Sequence, residues 1–101
     1  MITIKFMLPP IDPGEILREI YLAPLEMTPY ALAKKLRVPR TRIERIVAEK
    51  IGISADTALR LGKFFRTTPQ FWLNMQTSYD IKIAEAALHD DLDAIPELEA
   101  A

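Results

Sequence analysis

The chain has 101 residues, half of them apolar and 27% charged, with a net charge of −1 and no cysteine. That length supports one domain with a modest core of its own, and the absence of cysteine excludes disulfides, thiolate metal sites and a cysteine nucleophile. The opening MITIKFMLPP has neither the apolar run nor the small-residue cleavage site of a secretory signal, and no later stretch is long enough to cross a bilayer, so a cytoplasmic protein with no membrane association is expected.

Ile2, Ile4 and Phe6 alternate with Thr3 and Lys5, a short strand pattern within an N-terminal extension of residues 1–10. Asp12-Pro13 opens the first helix, with a good N-cap directly before a proline whose missing N–H would have lacked a partner anyway, and with Glu15 placed to complete a capping box. Ile16 and Ile20 carry that helix over 13–22. Thr28-Pro29 opens a second over 29–36, on which Leu32 and Leu36 share a face. Val38-Pro39 opens a third over 39–48 with a poor cap and with Ile43, Ile46 and Val47 inward. Ser54 caps a fourth over 55–65, with Asp56 in its first turn and Leu61, Phe64 and Phe65 on one side. Thr68-Pro69 opens a fifth over 69–87. Beyond it the residues turn acidic and Pro96 intervenes, which reads as a frayed tail. The division is therefore an extension (1–10), an all-α domain (11–87) and an acidic tail (88–101). No internal repeat interrupts it.

Charge is unevenly placed along this frame. Residues 34–50 hold seven bases against two acids, a balance of +5, whereas residues 85–101 hold six acids and neither lysine nor arginine. The basic stretch coincides with the second and third helices. Only Arg37 and Val38 separate them, a spacing that forces a tight crossing, with Ala33 small enough for the contact and Leu32, Leu36, Val38, Ile43 and Ile46 to lock it. This is the pattern of a helix-turn-helix, whose second helix enters the major groove and reads base edges with its N-terminal residues, here Arg40, Thr41 and, one turn on, Arg45. Thr28 begins the first motif helix, where free N–H groups can hold a phosphate. Lys34, Lys35 and Lys50 flank the groove as phosphate contacts, and Arg37 and Arg42 complete the basic surface. The plainer reading of the same residues is a helical hairpin whose arginines keep it soluble.

The run PGEILREIYLAPLEMTPYALAKKLRVPRTRIERIV, followed by GISADTALRLGKFF and TTPQFWLNMQTSYD, resembles the HigA/VapI type of antitoxin, small relatives of the phage-repressor helix-turn-helix proteins. The likeness covers about residues 11–83. It implies a five-helix, lambda-repressor-like domain that forms a homodimer, binds a palindromic operator in its own promoter as double-stranded DNA, and neutralises a HigB-type messenger-RNA-cleaving toxin. One departure stands out. The family usually has glycine in the turn where this chain has Arg37, and a left-handed arginine there costs on the order of 1 kcal/mol.

PQFWLNMQTSYDIKIA places Trp72, Met75, Tyr79 and Ile83 on one stripe, as a core face does, and Phe71 and Leu73 widen it. The surplus points to a helix that packs on its own domain and on a second subunit, so the expected dimer contacts are drawn from Phe71, Trp72 and Leu73, of which some must also be internal core. His89 with Asp90, Asp91 and Asp93 forms the only cluster with metal-ligand chemistry. Oxygen ligands crowded on a tail rarely converge, so neither metal nor cofactor is expected, and with no placed nucleophile the chain reads as a non-enzyme. Alternative readings are a stand-alone repressor with no toxin, a protein-only helical interaction module and, more remotely, a hydrolase using the C-terminal carboxylates. Salt-dependent binding to a palindromic duplex separates the antitoxin and the stand-alone repressor from the protein-only module and the hydrolase.

Overall fold

Each helix start reflects a local bond that the sequence supplies. In the computed structural model, which describes residues 9–99, the Asp12 carboxylate accepts from the Gly14 amide at 2.8 Å. Thr28 accepts from Ala31 N at 3.0 Å, Ser54 from Thr57 N at 3.3 Å and Thr68 from Phe71 N at 3.1 Å. These caps open α1 (13–25), α2 (Pro29–Leu36), α4 (Ala55–Phe65) and α5 (Pro69–Ala94). Between them α3 (Arg40–Val47) starts one residue after Pro39 and lacks a side-chain cap. The Asp12 carboxylate meets the Gly14 amide and not that of Glu15, and Glu15 makes no return bond, so the N-cap forms without the capping box. No strand occurs among the described residues, and the strand pattern at residues 2–6 lies outside them.

Two helix ends differ from expectation. The first helix is expected over 13–22, yet α1 continues through Pro24 as Pro13–Ile16 in α geometry, Leu17–Leu22 as a π-helix and Ala23–Leu25 in α geometry. Pro24 has no N–H to give and its ring would press on the carbonyl four residues back. The wider π turn before it relieves both problems. The fifth helix was expected to end at 87 and reaches Ala94. Its alanines and leucines (Ala84, Ala86, Ala87, Leu88, Leu92) are strong helix formers that outweigh the like charges. The true stop is Pro96, which holds Ile95 extended at φ −80°, ψ 121°.

The core is one cluster to which every helix contributes. Leu17 of α1, Leu32 of α2, Ile43 of α3, Leu61 of α4 and Trp72 of α5 are fully buried, and Ile46 and Ala33 nearly so. Each large aliphatic side chain removed from water in this way contributes about 1.5 to 3 kcal/mol. Trp72 also donates its ring N–H to Thr67 Oγ1 at 2.8 Å, which leaves its polar edge satisfied. Gly14 sits where α1 meets the end of α3. A side-chain carbon there would overlap the Ile46 carbonyl oxygen, so only glycine permits the approach.

Four helix ends turn in the left-handed region, and none of them uses glycine: Glu26 (φ 51°), Arg37 (φ 61°), Glu49 (φ 61°) and Arg66 (φ 60°). After each, the next amide bonds back five residues, as Val38 N does to Ala33 O at 3.0 Å and Thr67 N to Gly62 O at 3.0 Å. Glycine adopts this conformation without the steric penalty. Glu26→Gly, Arg37→Gly and Arg66→Gly are therefore each expected to raise stability by up to about 1 kcal/mol. Glu49→Gly should gain less, because Glu49 also pairs with Arg18 at 3.2 Å. Urea unfolding of the four variants checks the order, and a fall in stability for Arg37→Gly would mean that its side chain makes a compensating contact.

Candidate nucleic-acid interface

α2 and α3 form the crossing that the short Arg37-Val38 link predicts. Ala33 is buried at the contact, Val38 packs half-buried against the core, and Ile43 and Ile46 turn the inner face of α3 inward. The opposite face of α3 carries Arg40, Thr41, Glu44 and Arg45, all exposed. Helical spacing places them side by side, since residues three and four apart are neighbours on one face, as Thr41 and Glu44, Arg40 and Glu44, and Thr41 and Arg45 are. Lys34 and Lys35 are exposed on the last turn of α2, and Arg37 follows in the turn. Lys50 lies past the C-terminal end of α3, a helix length from Arg40. The Thr28 hydroxyl accepts from the Ala31 amide and orders the N-terminus of α2; Pro29 has no N–H and Leu32 N bonds the Thr28 carbonyl, so the Tyr30 amide is the one first-turn donor left without a bond among the described residues.

Two of the expected DNA contacts have partners within the protein. Arg40 Nε lies 3.4 Å from Glu44 Oε2, one turn along the same exposed face, a pair weak enough to exchange for another acceptor. Arg42 behaves differently. Its Nη1 donates to Asp56 Oδ1 at 2.6 Å, across to the first turn of α4, and its side chain is only 34% exposed.

Several residues at this surface had no role in the sequence reading. Tyr30 is 52% exposed, with the Lys34 ammonium 5.5 Å and the Arg40 guanidinium 5.9 Å from its ring centroid, so one aromatic face orders two cations. Its position directly after Thr28-Pro29, on the outward side of α2, was the available signal. Arg60 Nη1 donates to the Leu36 carbonyl at 2.8 Å, and Arg18 Nη1 to the Val47 carbonyl. Each motif helix thus has an arginine from a neighbouring helix at its negative C-terminal end. Asp56 accepts from Arg60 Nε at 2.8 Å as well as from Arg42. Its carboxyl is consequently held below the ordinary carboxylate value, mainly by the bond from Arg60 and next by that from Arg42.

On α5 the expected dimer contacts separate. Trp72 has no exposed surface and belongs wholly to the protomer core, so its expected place in a dimer contact is corrected. Leu73 is half-buried against that core, and Phe71 is 38% exposed. Phe71 borders a groove of about 490 Å³ with Ile11, Ile16, Met75 and Tyr79. His89 stands exposed on the outer part of α5, 3.4 Å from Asp90 and 3.7 Å from Asp93. Among the described residues no helix is long and apolar enough to cross a membrane.

No family model matches the chain. Individual proteins do. Virulence-associated protein I of Dichelobacter nodosus is 58% identical over 78 residues, covering 77% of this chain and 72% of that protein. Among solved structures, the Pseudomonas aeruginosa antitoxin HigA with the higBA promoter superposes with a TM-score of 0.86 at 44% identity, covering 89% of this chain and 99% of that one. The antitoxin GraA in complex with its operator gives 0.86 at 41% identity, over 92% of this chain and 95% of that one.

The depressed Asp56 carboxyl has a pH signature. A group whose folded-state pKa lies below its unfolded one contributes stability that is fully present above the unfolded value and is lost as the pH falls through the folded value. Asp56→Asn does not titrate. It is expected to melt below the parent protein at neutral pH and to converge with it once the pH drops through the acid range below ordinary carboxylates. Thermal melts followed by circular dichroism across that range check this, and a gap that persists at the acid end would mean that the carboxylate charge is not what Asp56 contributes.

Proposed function

The chain belongs to the HigA/VapI family of helix-turn-helix antitoxins, and from that we propose that it represses its own toxin–antitoxin promoter and neutralises a HigB-type messenger-RNA-cleaving toxin in the cytoplasm, acting by binding and not by catalysis. The observation that carries the reading is the split face of α3. Ile43 and Ile46 are buried on one side, while Arg40, Thr41 and Arg45 are exposed on the other. In the relatives solved on a promoter and an operator the same fold faces DNA. We assign base reading to Arg40, Thr41 and Arg45, and phosphate contacts to Lys34, Lys35, Arg37, Lys50 and the start of α2 at Thr28, where the Tyr30 amide is free. Arg42 is left out of this set because Asp56 holds it.

Arg40→Ala and Arg45→Ala are each expected to weaken operator binding by roughly 1 to 3 kcal/mol without unfolding the domain, and to do so more on the operator than on a scrambled duplex. Lys34→Ala should lower affinity for both duplexes alike and flatten the salt dependence. Titrations on the two duplexes over a salt series test this, and equal losses on both for Arg40→Ala would remove it from base reading. The toxin half of the proposal is tested by co-expression: the chain should restore growth to cells expressing a HigB-type toxin encoded beside it, and growth that stays arrested would remove that half.

One recognition helix reads too little duplex for specificity against a genome, whereas two held about 34 Å apart read successive major grooves. A homodimer follows, and we place its contact on the exposed side of α5 around Phe71 and the adjoining groove, with Leu73 at its margin. Phe71→Asp is expected to give a folded monomer that loses tight palindrome binding, because an unpaired charge in an apolar contact costs several kcal/mol. Sedimentation checks it. A Phe71→Asp protein that is folded and still dimeric would move the interface away from this face.

A further inference from the structure

One carboxylate oxygen joins three helices around the turn of the motif. Asp56 Oδ1 on α4 accepts from Arg42 Nη1 of α3 at 2.6 Å and from Arg60 Nε at 2.8 Å. Arg60 Nη1 then reaches back to the Leu36 carbonyl at 2.8 Å and the Arg37 carbonyl at 3.5 Å, at the end of α2. The path runs from the recognition helix through α4 to the end of the helix that precedes it. A lone surface pair of such exposure contributes little, but here one acceptor is shared by two guanidinium groups, one of them anchored on main-chain carbonyls. Asp56 also sits in the first turn of α4, where the helix favours negative charge.

The arrangement bears on DNA binding because of where Arg42 starts. It lies on α3 between Thr41 and Ile43, so a free Arg42 side chain would lie beside the base-reading face. A mobile arginine there reaches the phosphates of any sequence, and such a contact strengthens random binding as much as operator binding. We propose that Asp56 is a specificity-determining positioning residue, which keeps Arg42 off the phosphates and fixes α3 against the end of α2, so raising the ratio of operator to random-sequence affinity. The proposal rests on the DNA-binding function above and assigns a further residue to it.

The test is a double-mutant cycle read on two duplexes, operator and scrambled, over a salt series. Asp56→Asn is expected to bind the scrambled duplex about three- to tenfold more tightly at low salt, with a salt slope steeper by about 0.9 as Arg42 is released to a phosphate. Operator affinity should rise less, so the discrimination ratio falls. In an Arg42→Gln background the same Asp56 change should leave scrambled-duplex binding where it was, and Asp56→Glu, which keeps the charge, should retain most of the discrimination. A gain that survives in the Arg42→Gln background would show a simple loss of negative charge near DNA and overturn the proposal. Arg42→Gln alone provides a check that needs no folded Asp56 variant: weakening of scrambled-duplex binding equal to that of Arg45→Gln would also overturn it. A parent protein that binds neither duplex would fail the DNA-binding function itself, whereas a parent that binds the operator while the variants discriminate as it does would fail only this inference.

Discussion

An eight-residue helix does not hold together in water by itself, because the entropy of nucleating it exceeds what two turns of hydrogen bonds return. α3 has eight residues and no side-chain cap at its start. It is a helix because Ile43 and Ile46 leave water for the core and because α1 comes close enough, at Gly14, to pack on the Ile46 main chain. The exposed basic face proposed for DNA contact is therefore a by-product of burial on the opposite side. Any change that loosens the inner face of α3 misplaces Arg40 and Arg45 without touching them.

The ends of the motif helices are handled by charge. Arg60 and Arg18 reach the last carbonyls of α2 and α3, where the helix dipole is negative, and Asp56 and Glu49 hold those arginines in place. Basic residues around the motif thus divide into two populations. Arg18, Arg42 and Arg60 face acceptors inside the protein, whereas Lys34, Lys35, Arg37 and Arg45 are exposed with no ion pair among the described residues. A count of positive charge along the chain cannot make that division, yet it decides which side chains remain available for an external anion.

What the sequence made legible follows from the range of the interactions. The pairs Thr28-Pro29 and Thr68-Pro69 and the single Ser54 mark helix starts because a cap is a bond over two or three residues. Ala33, Leu32 and Ile46 could be placed at the crossing because helical spacing assigns faces. Spacing does not assign neighbours. It could not separate Trp72, sealed in the core, from Phe71, which opens onto the surface, since both lie on the crowded side of α5. Nor could it foresee that Arg42 meets a carboxylate fourteen residues away in sequence. The two helix ends that differ have local causes: a π turn carries the first helix through Pro24, and acidic residues in an alanine-rich stretch do not end a helix before Pro96 does.

α5 is 26 residues long, and from Ile81 to its end every residue is exposed to solvent. Its inner half is anchored by Trp72 in the core, while its outer half has no buried side chain to prevent local opening. Amide exchange with solvent should therefore quicken along the helix from Trp72 outward, because the opening free energy at each peptide follows the packing that must be undone. Such a gradient makes the outer half of α5 a label-free gauge: slowing of exchange confined to residues 81–94 on mixing with another molecule would locate that molecule on this arm, whereas slowing confined to α2 and α3 would locate it on the motif.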